Sequence, residues 1–143
     1  MHAAPSAPPS ARLRTFVVED SSVIRDNLRE TLEENAPIQV VGSAEDEKAA
    51  VAWMKSHNSQ CDLVIVDIFL KQGSGLGVLK GLAGIDASAR KVVLSNHATP
   101  EIRAKCAELG AEKVFDKSNE LEEMLRWFNR IGGEGKADGA YDA

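Results

Sequence analysis

Glu19 and Asp20 stand directly after the apolar run Phe16-Val17-Val18, Asp67 follows Leu63-Val64-Ile65-Val66, Ser95 follows Val92-Val93-Leu94, and Lys117 comes just after Val114-Phe115. Each of these side chains falls where a buried strand would end. In an open parallel α/β sheet the carboxyl ends of neighbouring strands form one crevice, and ligands bind there. Three acids, a hydroxyl and an ammonium would share it. Carboxylates held close together repel unless a cation joins them, and a small set of hard oxygen ligands suits Mg²⁺. An acidic metal site faced by a lysine points to phosphoryl chemistry.

Within such a site Asp67 is the candidate nucleophile, because an aspartate carboxylate can attack phosphorus and store the group as an acyl phosphate. Its bland alternative, a helix N-cap, fits poorly because the next helical segment begins near Ser74. Glu19 and Asp20 could merely favour the dipole of the first helix, but two acids together with Asp67 make metal binding the better reading. Lys117, otherwise an ordinary solvated lysine, supplies a point charge for a phosphoryl oxygen. Ser95, otherwise a loop cap, supplies a hydroxyl that can donate to such an oxygen. His2 and His57 lack acidic or nucleophilic neighbours and are read as a tail residue and a helix-end cation. His97, two residues past Ser95, could overhang the site or simply be exposed.

The elements that must position these groups follow from periodicity. Apolar runs centre near Val17, Val40, Ile65, Val93 and Val114, separated by segments of helical spacing, a βαβ alternation that predicts a parallel sheet. Ile24, Leu28 and Leu32 mark the first helix, while Leu121, Met124, Leu125, Phe128 and Ile131 form the clearest stripe in the last. Residues 45–57 and 74–83 are less regular helices. Pro100 suits the first turn of the fourth helix, and Gly110 its C-terminal end. Short right-handed crossovers leave two common sheet orders. The flavodoxin-like order 2-1-3-4-5 makes neighbours of the four strands that end in functional side chains, and leaves outside the strand ending in Gly42-Ser43-Ala44. The expected organisation is a flexible segment over 1–11, a (βα)5 domain over 12–131 and a flexible tail over 132–143.

The motifs Val17-Val18-Glu19-Asp20-Ser21, Val66-Asp67-Ile68-Phe69-Leu70 with Gly75-Leu76 beyond, Val93-Leu94-Ser95, and Gly110-Ala111 leading into Phe115-Asp116-Lys117-Ser118 occur in order. Together they resemble the receiver domains of bacterial two-component response regulators, over Leu13 to about Ile131. The resemblance implies a stand-alone receiver in which Asp67 takes a phosphoryl group from a sensor histidine kinase or a histidine phosphotransfer protein. It implies that Lys117, Ser95 and Asn96 bind the phosphoryl group. Asp20 and Asp67 would bind Mg²⁺ directly, Glu19 through water, and Phe69 through its backbone carbonyl. Phe69 and His97 would modulate water access. Output would use the face of helix 4, strand 5 and helix 5, as a monomer or a dimer, toward an unidentified protein. Phosphorylation and dephosphorylation would be self-catalysed, without enzymatic turnover.

Three positions depart from the family pattern. Lys71 stands where a proline is common, Asn96 replaces a smaller residue, and Val114 occupies the position of an aromatic that swings inward on activation. Phe115, one residue along, should face the other side of the sheet. Trp127 lies off the main stripe of the last helix and reads either as core or as a partner anchor.

Composition agrees with this reading. The 143 residues suit one domain, with 43% hydrophobic and 27% charged residues. No apolar stretch approaches the ~20 residues that span a bilayer, and residues 1–10 lack the apolar core of a secretory signal. A cytoplasmic protein is expected. Cys61 and Cys106 have neither CxxC spacing nor nearby histidines, and read as reduced structural thiols. A formal charge of −5 gives no electrostatic reason for nucleic-acid binding. Two rivals remain: a receiver-like scaffold that binds without being phosphorylated, and an aspartate-nucleophile phosphatase. The second would carry another acid shortly after the nucleophile, where Phe69 stands.

Overall fold

Leu63–Val66 is an unbroken aliphatic strand with every residue buried, a pattern that requires cover on both faces of a sheet. The computed structural model, which describes residues 12–85 and 88–141 (backbone alone at 58 and 133–141), supplies that cover. Strands β1 (Leu13–Val18), β2 (Ile38–Ala44), β3 (Leu63–Val66), β4 (Arg90–Ser95) and β5 (Lys113–Asp116) alternate with helices α1 (Ser22–Asn35), α2 (Glu47–His57), α3 (Gly75–Gly84), α4 (Pro100–Glu108) and α5 (Leu121–Tyr141). All strand pairs are parallel, in the order β2-β1-β3-β4-β5. This is the flavodoxin-like order expected from the placement of the chemical residues.

One face of the sheet is closed by α1 and α5, where Leu32, Met124, Phe128 and Ile131 pack with Ile65, Val92, Leu94 and Phe115. The other is closed by α2, α3 and α4 through Met54, Val78, Leu82, Leu79 and Cys106. Phe115 and Val114 lie in opposite layers, as the alternation of a strand requires. Trp127 is core, 7% exposed, with its ring 6.1 Å from that of Phe115. Ile24, in the first turn of α1, is by contrast 44% exposed.

The caps explain where helices begin. Ser21, Ser74 and Thr99 each accept a hydrogen bond from the amide three residues on, and Pro100 occupies the first turn of α4. Gly110, just beyond α4, has φ +100°, a conformation that favours glycine. Helix α5 continues to Tyr141, so the backbone from Gly132 is helical where the glycine-rich sequence led us to expect a tail. Gly132 itself is buried against Pro37, which gives the helix a packed turn beyond Ile131, and extending a formed helix costs less than starting one. The segment 1–11 and residues 142–143 lie outside the described residues.

Candidate functional site

Backbone bonds that prolong the sheet ladder past the strand ends hold the chemical residues. The amide of Glu19 donates to Ala44 O, that of Asp67 to Val18 O, and that of Lys117 to Ser95 O, each at 3.0 Å. Glu19, Asp67 and Lys117 are thereby fixed on one edge, with their side chains free to converge.

They do converge. Lys117 Nζ lies 3.0 Å from Glu19 Oε1 and 3.1 Å from Asp67 Oδ2. Glu19 is buried, and the Lys117 and Asp67 side chains are largely so. Burial alone would lower the Lys117 pKa, but the bonds and charges of Glu19 and Asp67 outweigh it and raise the ammonium above the ordinary lysine value. The lysine is therefore held charged between a flanking acid and the candidate nucleophile.

The remaining carboxylate oxygens face backbone donors. Glu19 Oε2 accepts from Ser21 N at 3.1 Å, and Asp67 Oδ1 from Phe69 N at 3.2 Å. Asp20 turns toward the loop between β3 and α3, where its Oδ2 accepts from Lys71 N at 2.8 Å. Among the described residues no three His, Cys, Asp or Glu side chains converge; the Lys117 ammonium bonds Glu19 and Asp67, and the backbone amide of Lys71 bonds Asp20. The donor chemistry still suits a hard cation. Asp20 and Asp67 are acids with lone pairs beyond the single backbone bond each accepts, and one ammonium against three carboxylates leaves an excess of negative charge.

Ser95 is fully buried at the end of β4, and its Oγ accepts from His97 N at 3.1 Å. Asn96 is exposed. His97 meets Phe69 across the crevice in an edge-to-face contact, ring centroids 5.2 Å apart, and Phe69 is 53% exposed. These two rings form an outer rim over the strand ends. His57, the other candidate cation, stacks on Trp53 at 4.3 Å at the far end of α2.

Several supports carried no sequence signal. The loop after Asp67 closes tightly: Gly75 N donates to Ile68 O, and a Cβ at Gly75 would stand 2.8 Å from Ile68 Cα and closer still to the Asp67 carbonyl oxygen. Glu47, in the first turn of α2, accepts from Ser74 N at 3.0 Å and nests against Gly73 and Gly77, pinning the same loop from outside. Arg103 and Glu120 brace the loops around Ser95 and Lys117. An arginine or glutamate on a helix looks like an ordinary solvated side chain in sequence. Cys61 and Cys106 are buried and away from the site, and burial pushes the Cys61 thiol up to about 11.

With this geometry established, comparison with known proteins is direct. The family model for the response regulator receiver domain matches residues 15–129. Chemotaxis protein CheY of Bacillus subtilis (strain 168) is 28% identical over 117 residues, covering 82% of this chain and 95% of the relative. Response regulator UvrY of Escherichia coli (strain K12) is 26% identical over 113 residues, which cover 79% of this chain and 51% of UvrY, so the chain spans about half of that relative. Among solved structures, the CheX-CheY-BeF3-Mg complex from Borrelia burgdorferi aligns with TM-score 0.71 at 20% identity, covering 85% of this chain and 98% of the other. The response regulator domain of Thermotoga maritima CheB aligns with TM-score 0.70 at 23% identity, covering 83% and 97%. These structural likenesses are likenesses of fold. No helix among the described residues is long and apolar enough to cross a membrane.

Proposed function

This chain belongs to the response regulator receiver domain family, and on that premise we propose that it is a phosphoacceptor whose nucleophile is Asp67. The observation that carries the reading is the ammonium of Lys117 seated between Glu19 and Asp67. A largely buried lysine side chain held charged beside that carboxylate can neutralise an oxygen of an incoming phosphoryl group. Ser95 and Asn96 supply further donors at the end of β4.

Asp20 and Asp67, with Glu19 through water and the Phe69 carbonyl, would hold Mg²⁺. Bound there, the ion would neutralise negative charge on the transferring oxygens. The chain's own contribution is mainly positioning. The donor's phosphorus–nitrogen bond breaks as an Asp67 oxygen bonds to phosphorus, and the departing imidazole takes up a proton. Little covalent chemistry is asked of the protein beyond the nucleophile. The donor class is a phosphohistidine on a sensor kinase or phosphotransfer protein. Hydrolysis of the acyl phosphate later resets the site, and the signal passes as a shift between two conformations read by a protein partner.

Incubation with Mg²⁺ and a small phosphodonor, followed by intact-mass measurement, tests this reading. One added phosphoryl group that decays slowly supports the phosphoacceptor. No addition would instead support a non-phosphorylated scaffold, and rapid multiple turnover a phosphatase.

A further inference from the structure

The guanidinium of Arg103 adds a side-chain tie across three segments, beyond the ladder bond from Lys117 N to Ser95 O at 3.0 Å. From the first turn of α4, Nε donates to Ala98 O at 3.0 Å, Nη1 to Val114 O at 2.8 Å, and Nη2 to Glu120 Oε1 at 2.9 Å. The first acceptor lies in the loop after Ser95, the second on β5, and the third at the start of α5. Glu120 Oε1 also accepts from Asp116 N at 2.8 Å, and Glu120 N donates back to Asp116 O at 2.9 Å, so the turn holding Lys117 is clamped at both ends.

A second chain of bonds, beside the direct ladder bond from Lys117 N to Ser95 O, therefore runs from one phosphoryl-binding residue to the other. Ser95 Oγ accepts from His97 N, the next residue's carbonyl accepts from Arg103, and Arg103 reaches Glu120 and through it the Asp116–Lys117 turn. A guanidinium is a rigid planar fork, so its three acceptors cannot move relative to one another without breaking or redirecting a bond. Two of them are backbone carbonyls. The link at Val114 is thus independent of the small side chain found there. Beside the guanidinium lies a recess of about 230 Å³ lined by Arg103, Ala107, Ala111, Val114 and Glu120, room in which the side chain can take a second arrangement.

We propose that Arg103 is the positioning residue that couples the Ser95 loop to β5 and the Lys117 turn, carrying occupancy of the phosphoryl site to the face formed by α4, β5 and α5. The inference rests on the phosphoacceptor reading and gives that site its route of regulation. When Ser95 and Lys117 are drawn toward a phosphoryl group, the acceptors of Arg103 shift relative to one another and the guanidinium follows.

The test uses the full chain with magnesium and beryllium fluoride as the phosphoryl mimic, read by amide NMR shifts. In the parent protein, amides at the site (Asp67, Ser95, Lys117) and along the fork (Ala98, Val114, Glu120) should both respond. In Arg103→Ala and Arg103→Lys the site amides should still respond, while the Val114 and Glu120 responses fall by about twofold or more. Lysine retains the charge but cannot span three acceptors, so it should behave like alanine. Undiminished responses at Val114 and Glu120 in both variants would overturn the proposal. If Arg103→Ala does not fold, Arg103→Lys and Arg103→Gln decide the matter by the same readout. A parent protein whose site amides do not respond defeats the phosphoacceptor reading, and this inference with it.

Discussion

The amide nitrogen of Lys71 donates to Asp20 Oδ2 at 2.8 Å, tying a candidate metal ligand to the loop that follows the candidate nucleophile. Proline, common at this position in the family, has no N–H and could not make the bond. The amide and a divalent cation compete for the same carboxylate charge. Lys71→Pro should therefore tighten Mg²⁺ binding about three- to tenfold, the share of a charge-assisted hydrogen bond recovered at an exposed site. Lys71→Ala, which keeps the amide, should bind as the parent does. A Mg²⁺ titration followed by amide shifts decides this, and unchanged or weaker binding in Lys71→Pro contradicts it.

Gly75 should not tolerate a side chain. Its added Cβ would press on the Asp67 carbonyl oxygen and Ile68 Cα, backbone atoms that cannot swing aside. Gly75→Ala should cost about 1–3 kcal/mol by overpacking and disturb the loop after Asp67. Urea denaturation measures the first effect; a midpoint equal to the parent's would show that the loop yields.

Much of this arrangement was legible in the sequence because two periodicities were clean. Buried strands read as unbroken aliphatic runs, and the acids, hydroxyl and lysine stand where those runs stop. Sheet order followed from asking which strands had to be neighbours. What stayed hidden was carried by groups without a sequence signature. The donor to Asp20 is a backbone amide, visible in sequence only as a residue that is not proline. Arg103 and Glu47 look like any solvated helix residues, and Gly132 looks like a helix stop until Pro37 is seen packed on it. Sequence shows which acids share an edge, not which hydrogen-bond donor each one faces.

Water access to phosphorylated Asp67 should depend on the Phe69–His97 rim. The rings touch edge to face at 5.2 Å, so each supports the other. Phe69→Ala and His97→Ala should each change the decay rate of the acyl phosphate. The double variant should differ from the sum of the singles, as contacting residues do. Decay at the parental rate in both single variants would remove these residues from any gating role.

Acid should weaken the clamp around Lys117. The hydrogen bond from Arg103, and after it the Asp116 amide, hold the Glu120 carboxyl below the usual carboxylate range. Because the folded value lies below the unfolded one, the stabilisation is present above the ordinary glutamate range and is lost as pH falls through the depressed value. Glu120→Gln should be less stable than the parent at neutral pH, by under about 1 kcal/mol for so open an ion pair, and should converge with it in acid. Urea midpoints across pH check the sign; a gap that persists undiminished at the acid end contradicts it.

The assignment of Asp67 as the phosphoacceptor is tested most directly by intact mass of the parent and Asp67→Asn after equal exposure to Mg²⁺ and a small phosphodonor. Asparagine keeps the shape, and Lys117 retains Glu19 as its partner, so the variant should fold. The parent should gain one phosphoryl group, lose it slowly, and fail to gain it when Mg²⁺ is chelated. Asp67→Asn should gain none. An equal phosphoryl adduct on the variant would contradict the assignment.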